Sequence, residues 1–557
     1  MSTGTRRRLA AAAQAFSATA HNPSLARAQL AFAATWTGEW AFTVAIAVVA
    51  FRDGGASAVG IVAFVRMAPA AVLAPLGIAV ADRFPRDRVL IWTCLARAVT
   101  IAAAAAVLAA DGSNVAVYAL AAIATAAFTM FRPAHSALLP ALSRTPLELT
   151  SANVVRALAD SVSTLLGPLL AALLLGTGTP TAVFAATAVL SLASGGLLLA
   201  LSYQPPPARP PPPMRRIGTD TIDGFRALVR YRDVGLLVAL GKAQTLTRGF
   251  LNVFLVVIAL ELLEMQSSGV GVLTAAVGAG AVVSSLAAAM FVTGRRLATL
   301  EGVGVALWGL PLTLSGALPY EPVVLALMCV IGVGNTFVDI GLFTLASRLV
   351  PNEDLARVFG AQESLVALTV AFGSLITPLA TELLGIRGAL IVLGLIGPAC
   401  VLVARRRLQA IDASVERRDE EVEVLNKVAI FRPLPMPAVD SLALRVAHAD
   451  VPAGREVFHQ GDHGDRFYVI ADGEAEVIGD DRLLRTLGPG DGFGEIALLR
   501  DTPRTTTVRV RTPLRLFALE RQDFLATVTG YQSSTAQADT MVRERLATFD
   551  PGRRPAS

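Results

Sequence analysis

Residues 461–508 read GDHGDRFYVIADGEAEVIGDDRLLRTLGPGDGFGEIALLRDTPRTTTV. In FYVIADGEAEVIGDD, apolar residues alternate with polar ones around Asp472-Gly473, which is the pattern of a hairpin. Turn residues at Gly479-Asp480-Asp481 and Gly488-Pro489-Gly490-Asp491 then divide the chain into short strands, so a compact β-roll is expected. This soluble pattern stands behind a chain of another kind. Over 557 residues the sequence is 54% hydrophobic and 16% charged, with a mean hydropathy of +0.58. Those values lie outside the range of soluble domains. The expected fold class is a polytopic α-helical membrane protein with a C-terminal soluble β-roll and flanking helices.

Apolar runs of about 20 residues, enough to cross a bilayer, recur from Ala28 to Val403. We read about twelve by that length, at approximately 28–51, 57–81, 88–110, 114–139, 148–175, 180–202, 233–261, 268–292, 298–318, 321–348, 357–384 and 387–404. Basic residues fall in alternate loops: Arg6 to Arg8, DRFPRDR at 82–88, Arg144, Arg215-Arg216, Arg295-Arg296, Arg348 and Arg405 to Arg407. The opposite loops offer mainly Arg52 and Arg387. By the positive-inside rule both termini are cytoplasmic, the chain is a multi-pass protein of the plasma membrane, and the tail lies in the cytoplasm. The net charge of +5 is explained by these loops, and no nucleic acid partner is expected. RRRLAAAAQAFSATA at the N-terminus reads as an uncleaved amphipathic lead-in helix, because Gln14 interrupts its alanine run. Cys94, Cys329 and Cys400 sit in apolar runs without paired spacing, so neither a disulfide framework nor a metal site is expected.

The chain also repeats itself. LLPALSRTPLELTSANVVRALADSVSTLLGPLLAALLLG (138–176) is echoed by RLVPNEDLARVFGAQESLVALTVAFGSLITPLATELLG (348–385), with Gly167-Pro168-Leu169 falling on Thr377-Pro378-Leu379. A repeat at half-chain spacing predicts two six-helix halves around a path near the bilayer midplane. Between them, QPPPARPPPPMRR (204–216) is an extended polyproline linker, and TDTIDGFRALVRYRD is an interfacial amphipathic stretch. The domain reading is therefore a first half at 1–203, a linker with interfacial helix at 204–232, a second half at 233–405, a stalk at 406–428 and the soluble domain at 429–557. Two such halves resemble the major facilitator superfamily. AVADRFPRDRVL after the second span is similar to that family's Gly-x-x-x-Asp-Arg-x-x-Arg-Arg signature, although Gly77 precedes Asp82 by one residue too many. The resemblance implies a conformational latch at Asp82, Arg83 and Arg86; otherwise the cluster is topogenic only. Ser151-Ala152-Asn153 and Gly167-Pro168 further resemble the enterobactin-exporter-like branch.

Charges inside spans mark functional candidates, since each is costly in lipid unless paired or facing a polar cavity. Arg156 and Asp160, four apart on one helical face, are read as neutralising each other. Glu39, in WTGEW, has no basic residue a turn away. Glu39, Asp160, Asp339 and Glu363, with Arg66, Arg97 and Arg248, are the candidates for substrate binding or proton coupling. The alternative is burial of an acid in an ion pair with Arg66, Arg97 or Arg248. Lys242 is read as anion-binding or snorkelling, and His135 as a structural histidine or a titrating one. The sequence carries neither a nucleotide-hydrolysis motif nor a catalytic one, so the chain is not expected to be an enzyme.

After Arg407, IDASVERRDEEVEVLNKV (411–428) is charged and helix-prone, as a stalk would be. FGEIALLRDTPRTTTV (493–508) resembles the phosphate-binding cassette of cyclic nucleotide-binding domains, and GDHGDRFYVIADGEAEV fits the same family's pattern. The resemblance implies a regulatory cyclic nucleotide, cyclic AMP ahead of cyclic GMP. Arg504 supplies a planar fork to the phosphate, and backbone N–H groups from Gly494 onward add to it. Glu495 accepts from the ribose, Thr505 adds a hydroxyl, and Ile496, Ala497, Leu498 and Val477 line the apolar side. Thr506 departs from the alanine common there. The helices of 520–549 would cap the base through Met541, Val542 or Leu546. The expectation is a gradient-driven exporter of a small molecule, regulated by the nucleotide, with membrane lipid around it and a proton as coupling ion. A homodimer through the cytoplasmic domain is left open. The rival is a transport-inactive membrane receptor whose helices signal to or from the tail.

Overall fold

The computed structural model describes residues 21–201, 223–291, 296–350, 352–480 and 482–549; side chains at 70–83, 146–147, 287–291, 352–353, 356, 436–437, 532 and 547–549 are not described. The lead-in segment, the polyproline linker, and the side chains of Asp82 and Arg83 therefore lie outside the described residues. The chain forms two compact units, 1–409 and 410–557.

Among the described residues of the first unit, ten helices are long and apolar enough to cross a membrane. In chain order its helices are α1 (Pro23–Arg83), α2 (Arg86–Ala109), α3 (Asn114–Phe128), α4 (Phe131–Leu142), α5 (Pro146–Thr177), α6 (Pro180–Leu199), α7 (Arg232–Val257), α8 (Ser268–Phe291), α9 (Leu297–Ala317), α10 (Glu321–Leu349) and α11 (Asn352–Lys427). Residues 223–230 are also helical. At 1.5 Å per residue, α1 and α11 would each run to roughly 90–115 Å if straight, several times a bilayer. Both are broken: α1 leaves helical geometry at Gly54 and Gly55 (φ 63°), and α11 at Gly385 (φ 70°). Left-handed backbone there is cheap only for glycine, and the breaks fall where the sequence reading places turns between spans.

One expected span, 114–139, is divided into α3 and α4 at Thr129-Met130. Pro133 lacks the N–H that would bond Thr129, and its ring crowds that carbonyl, so the ladder is interrupted there.

The internal repeat has a structural counterpart. Ser163 of α5 donates to the carbonyl of Ala33 in α1 (3.1 Å), and Ser374 of α11 donates to the carbonyl of Gly249 in α7 (3.0 Å). Each repeat thus grips the first helix of its own half in the same way. The halves are tied by Arg52 donating to Ser267 (2.8 Å), Ser57 donating to Glu382 (3.3 Å) and the Ser161–Ser285 hydroxyl pair (3.1 Å). Large apolar side chains such as Leu173, Val189, Leu383 and Val403 are exposed, as a lipid-facing surface requires.

Close helix approach depends on small residues. A Cβ on Gly280 of α8 would overlap the carbonyl of Cys329 in α10, and one on Gly332 of α10 would overlap that of Val277. Gly280→Ala is expected to push these helices apart and destabilise the unit by about 1–3 kcal/mol. A lowered unfolding temperature of the purified protein in detergent checks this; an unchanged one contradicts it.

The second unit contains two four-stranded antiparallel sheets, in the orders β1-β8-β3-β6 and β2-β7-β4-β5. The strands are β1 (Ala447–Val451), β2 (Glu456–Phe458), β3 (Arg466–Asp472), β4 (Ala475–Gly479), β5 (Arg482–Leu487), β6 (Gly492–Phe493), β7 (Thr507–Val510) and β8 (Leu514–Glu520). Helices α12 (Met436–Ala443), α13 (Glu495–Arg500), α14 (Arg521–Thr529) and α15 (Gln532–Phe549) flank the roll. The period-two pattern of β3 separates two cores. Tyr468 and Ile470 face the roll interior with Leu487, Phe493 and Val508. Phe467 and Val469 face the helices, where Phe467 packs on Phe431 and Phe524 at 5.6 and 4.4 Å.

Candidate functional site

Strands β4, β5 and β7, with the segment joining β6 to α13, enclose a cavity of about 670 Å³, its open mouth included. Its lining contains Val477, Gly494, Glu495, Ile496, Ala497, Arg504, Thr505 and Thr506, so all but one of the residues assigned to the pocket from sequence converge there. Leu498 does not: it packs into the helical core beside Phe467.

Arg504 is buried. Its guanidinium donates to the carbonyls of Gly494 (2.9 Å) and Arg466 (2.8 Å), stands 3.6 Å from Asp465, and lies over the Phe458 ring at 4.1 Å. Burial pulls this group down from its ordinary value, opposed by Tyr468, Asp465 and Glu495; a guanidinium stays charged regardless. Its Nε has no partner among the described residues. Gly494 adopts φ 90°, and a Cβ on it would run into the Arg504 guanidinium, so only glycine permits this closure.

Glu495 is almost fully buried, yet only one carboxylate oxygen is engaged. Oε1 accepts from Arg545 at 2.7 Å, while Oε2 has no partner among the described residues. The cavity lining therefore combines the Arg504 guanidinium, a Glu495 oxygen without a partner among the described residues, and an apolar wall of Val477, Leu487 and Val508. A ligand with an anionic group, a hydroxyl and a flat apolar body fits that arrangement.

The capping expectation needs correction. Arg545 of α15 lines the cavity and also donates to the Gly492 carbonyl (2.9 Å). Met541 packs against the helical core, Val542 is fully buried, and Leu546 is partly exposed, none of them on the cavity lining. Sequence reading also missed Phe458, whose ring lies beneath Arg504. Its signal was an aromatic residue three places before the turn glycine Gly461.

In the membrane unit, Glu39 is not isolated. It accepts from Arg97 at 2.7 Å and Arg66 at 3.3 Å, and these arginines lie over Phe128 (4.4 Å) and Phe42 (4.9 Å). Asp160 bonds Arg132 at 3.3 Å, replacing the expected Arg156 pair. A contact from another helix has prevailed over the i, i+4 one.

Arg248 lies in the field of Asp339, Arg132, Asp160 and Glu363 rather than near Glu39. Both Asp339 and Glu363 are exposed, and Asp339 accepts from Asn335 at 3.1 Å. A charged interior is thus assembled from α4, α5, α7, α10 and α11. Lys242 donates to the Gln362 carbonyl at 3.1 Å. His135 is fully buried beside the Phe32 ring, with Nε2 3.2 Å from the Ala28 carbonyl. Arg86 donates to the Ala137 carbonyl at 2.6 Å.

Two family models match the chain. That of the Major Facilitator Superfamily covers residues 29–365 and, in a second match, 243–449; that of the cyclic nucleotide-binding domain covers 449–531. A cAMP-dependent protein kinase regulatory subunit of Eremothecium gossypii is 43% identical over 74 residues, 13% of this chain and 16% of the relative. That of Yarrowia lipolytica is 36% identical over 116 residues, 20% of this chain and 31% of the relative. The chain thus spans under a third of either relative. Among solved structures, cAMP-bound PfPKA-R (141–441) is 22% identical with a TM-score of 0.23, over 25% of this chain and 49% of that one. The regulatory domain of Toxoplasma gondii PKA with cAMP is 25% identical with a TM-score of 0.21, over 24% and 51%. With its long apolar helices and its two-sheet roll, the chain belongs to the Major Facilitator Superfamily and carries a cyclic nucleotide-binding domain behind its membrane part.

Proposed function

We propose that this chain is a secondary active exporter of a small polar molecule, working by alternating access in the plasma membrane with both termini cytoplasmic, and that cyclic AMP bound to the tail sets its rate. On this reading it catalyses no covalent chemistry. The observation carrying the proposal is the convergence of Arg504 and Glu495 on one open cavity, with a guanidinium for a cyclic phosphate and an unengaged carboxylate oxygen for a ribose hydroxyl. The name of the two relatives matching this stretch favours cyclic AMP as the ligand. Thr505 is compatible with either purine. The charged interior supports a polar cargo and a proton as driving ion.

Alternating access takes its bias from the nucleotide only to the extent that the loaded tail interacts differently with the two transporter states. Calorimetry of the full chain with cyclic AMP and cyclic GMP, followed by flux of candidate solutes in proteoliposomes under a proton gradient, tests the reading. We expect tighter binding of cyclic AMP and gradient-dependent flux. Binding of neither nucleotide removes the regulatory half of the proposal. Nucleotide binding without flux of any solute favours a membrane receptor.

A further inference from the structure

Glu301 lies in the first turns of α9, a place where a sequence reader expects an interfacial acid, yet its side chain is fully buried. Neither carboxyl oxygen has a partner among the described residues. The helix is seated between glycines of its neighbours. A Cβ on Gly341 of α10 would come within 2.6 Å of the Glu301 Cβ, and one on Gly241 of α7 would stand 4.0 Å from Oε1. These glycines leave a narrow slot that a larger residue would fill. A carboxylate held there without a counter-charge or donor is a costly species, whereas a neutral carboxyl is tolerated.

Two further buried polar groups on α7 and α11 are also unsatisfied among the described residues. Gln244 Nε2 on α7 and Gln362 Oε1 on α11 belong to buried side chains and are likewise without partners among the described residues. The charged groups acting on Glu301 are Lys242 from α7 and Asp339 from α10. From α11, Glu363 acts on the same Lys242. The Lys242 ammonium is engaged with the Gln362 carbonyl at 3.1 Å, so it is held on α11 and not on Glu301.

A cation on one helix thus has two places to go: the α11 carbonyl it occupies, or the α9 carboxyl it leaves unpaired. We propose that Glu301 is a proton-binding site, protonated in the conformation described, whose deprotonation draws Lys242 from Gln362 across to α9. The O–H bond breaks, its electron pair stays on the carboxylate, and the proton leaves toward Asp339, the acid in whose field Glu301 lies. Moving Lys242 exchanges an α7–α11 tie for an α7–α9 tie, which is the discrete two-position element that a coupled transporter needs. The use of this proton for transport rests on the transporter reading above; the site itself does not.

Infrared difference spectroscopy on the purified full chain, with pH stepped from acidic to alkaline, reads the site without any substrate. The wild type is expected to show the C=O stretch of a protonated carboxyl in dry surroundings, lost as pH rises, and Glu301→Gln is expected to lack that band. Lys242→Gln removes the cation that favours the carboxylate, so the same band should persist to higher pH; this variant keeps the proposal testable if Glu301→Gln does not fold. No band missing in Glu301→Gln, or a band that neither pH nor Lys242→Gln moves, overturns the proposal. If the band behaves as expected but proteoliposomes carry no solute, the transporter reading fails and the proton site stands.

Discussion

Arg504→Ala is expected to weaken cyclic AMP binding to the full chain by about 10²–10⁴-fold. The guanidinium is a charged donor on the cavity lining, and hydrogen bonds to charged groups contribute roughly 1.5–3 kcal/mol each. Two of them, at about 1.4 kcal/mol per tenfold change, give that range. The same side chain also ties Gly494 to Arg466 through their carbonyls, so the tail should unfold at a lower temperature as well. Arg504→Lys separates the effects. It keeps the charge but loses the planar fork, and binding should fall to an intermediate level. Calorimetry on both variants checks this, and undiminished affinity in Arg504→Ala would remove Arg504 from the site.

The second large effect is expected in the membrane unit. Glu39→Ala leaves Arg97 and Arg66 with their shared carboxylate gone, and both arginines are buried. Removing one partner of a buried ion pair costs about 3–5 kcal/mol, because the remaining charge is uncompensated. Here two cations lose one anion, and aromatic rings at 4.4 and 4.9 Å replace only part of it. Thermal unfolding in detergent should show a large drop for Glu39→Ala. Glu39→Gln, which can still accept from one arginine, should lose less. A Glu39→Ala protein as stable as wild type would mean that the trio contributes nothing to the fold.

These two sites show what was legible in the sequence and what was not. The β-roll was readable because its signals are local: alternation along β3 and β4, and glycines or aspartates at each turn. Its pocket was readable because Gly494, Glu495 and Arg504 lie within eleven residues. Arg545 was missed because it stands one helical turn beyond Met541, and the rotation of α15 about its axis, set by packing on Phe431 and Phe524, decides which face meets the cavity. The partners of Glu39 sit 27 and 58 residues away, beyond any helical spacing rule. Asp160 was assigned the nearest arginine in sequence, and Arg132 from the neighbouring helix took its place. Glu301 was overlooked because position within a span does not report burial. The division at Thr129-Met130 was visible in Pro133 but outweighed by the uninterrupted apolar run.

The central claim is that the tail reports cyclic nucleotide to the transporter. Its most direct test is the initial rate of solute flux in proteoliposomes, with and without saturating cyclic AMP on the tail side, for the wild type and Arg504→Ala. A nucleotide that binds the two transporter states unequally shifts their balance by the ratio of its affinities for them. The account predicts a rate that changes on adding cyclic AMP to the wild type and does not change in Arg504→Ala. Equal rates with and without nucleotide in the wild type, or a change that survives in Arg504→Ala, would contradict it.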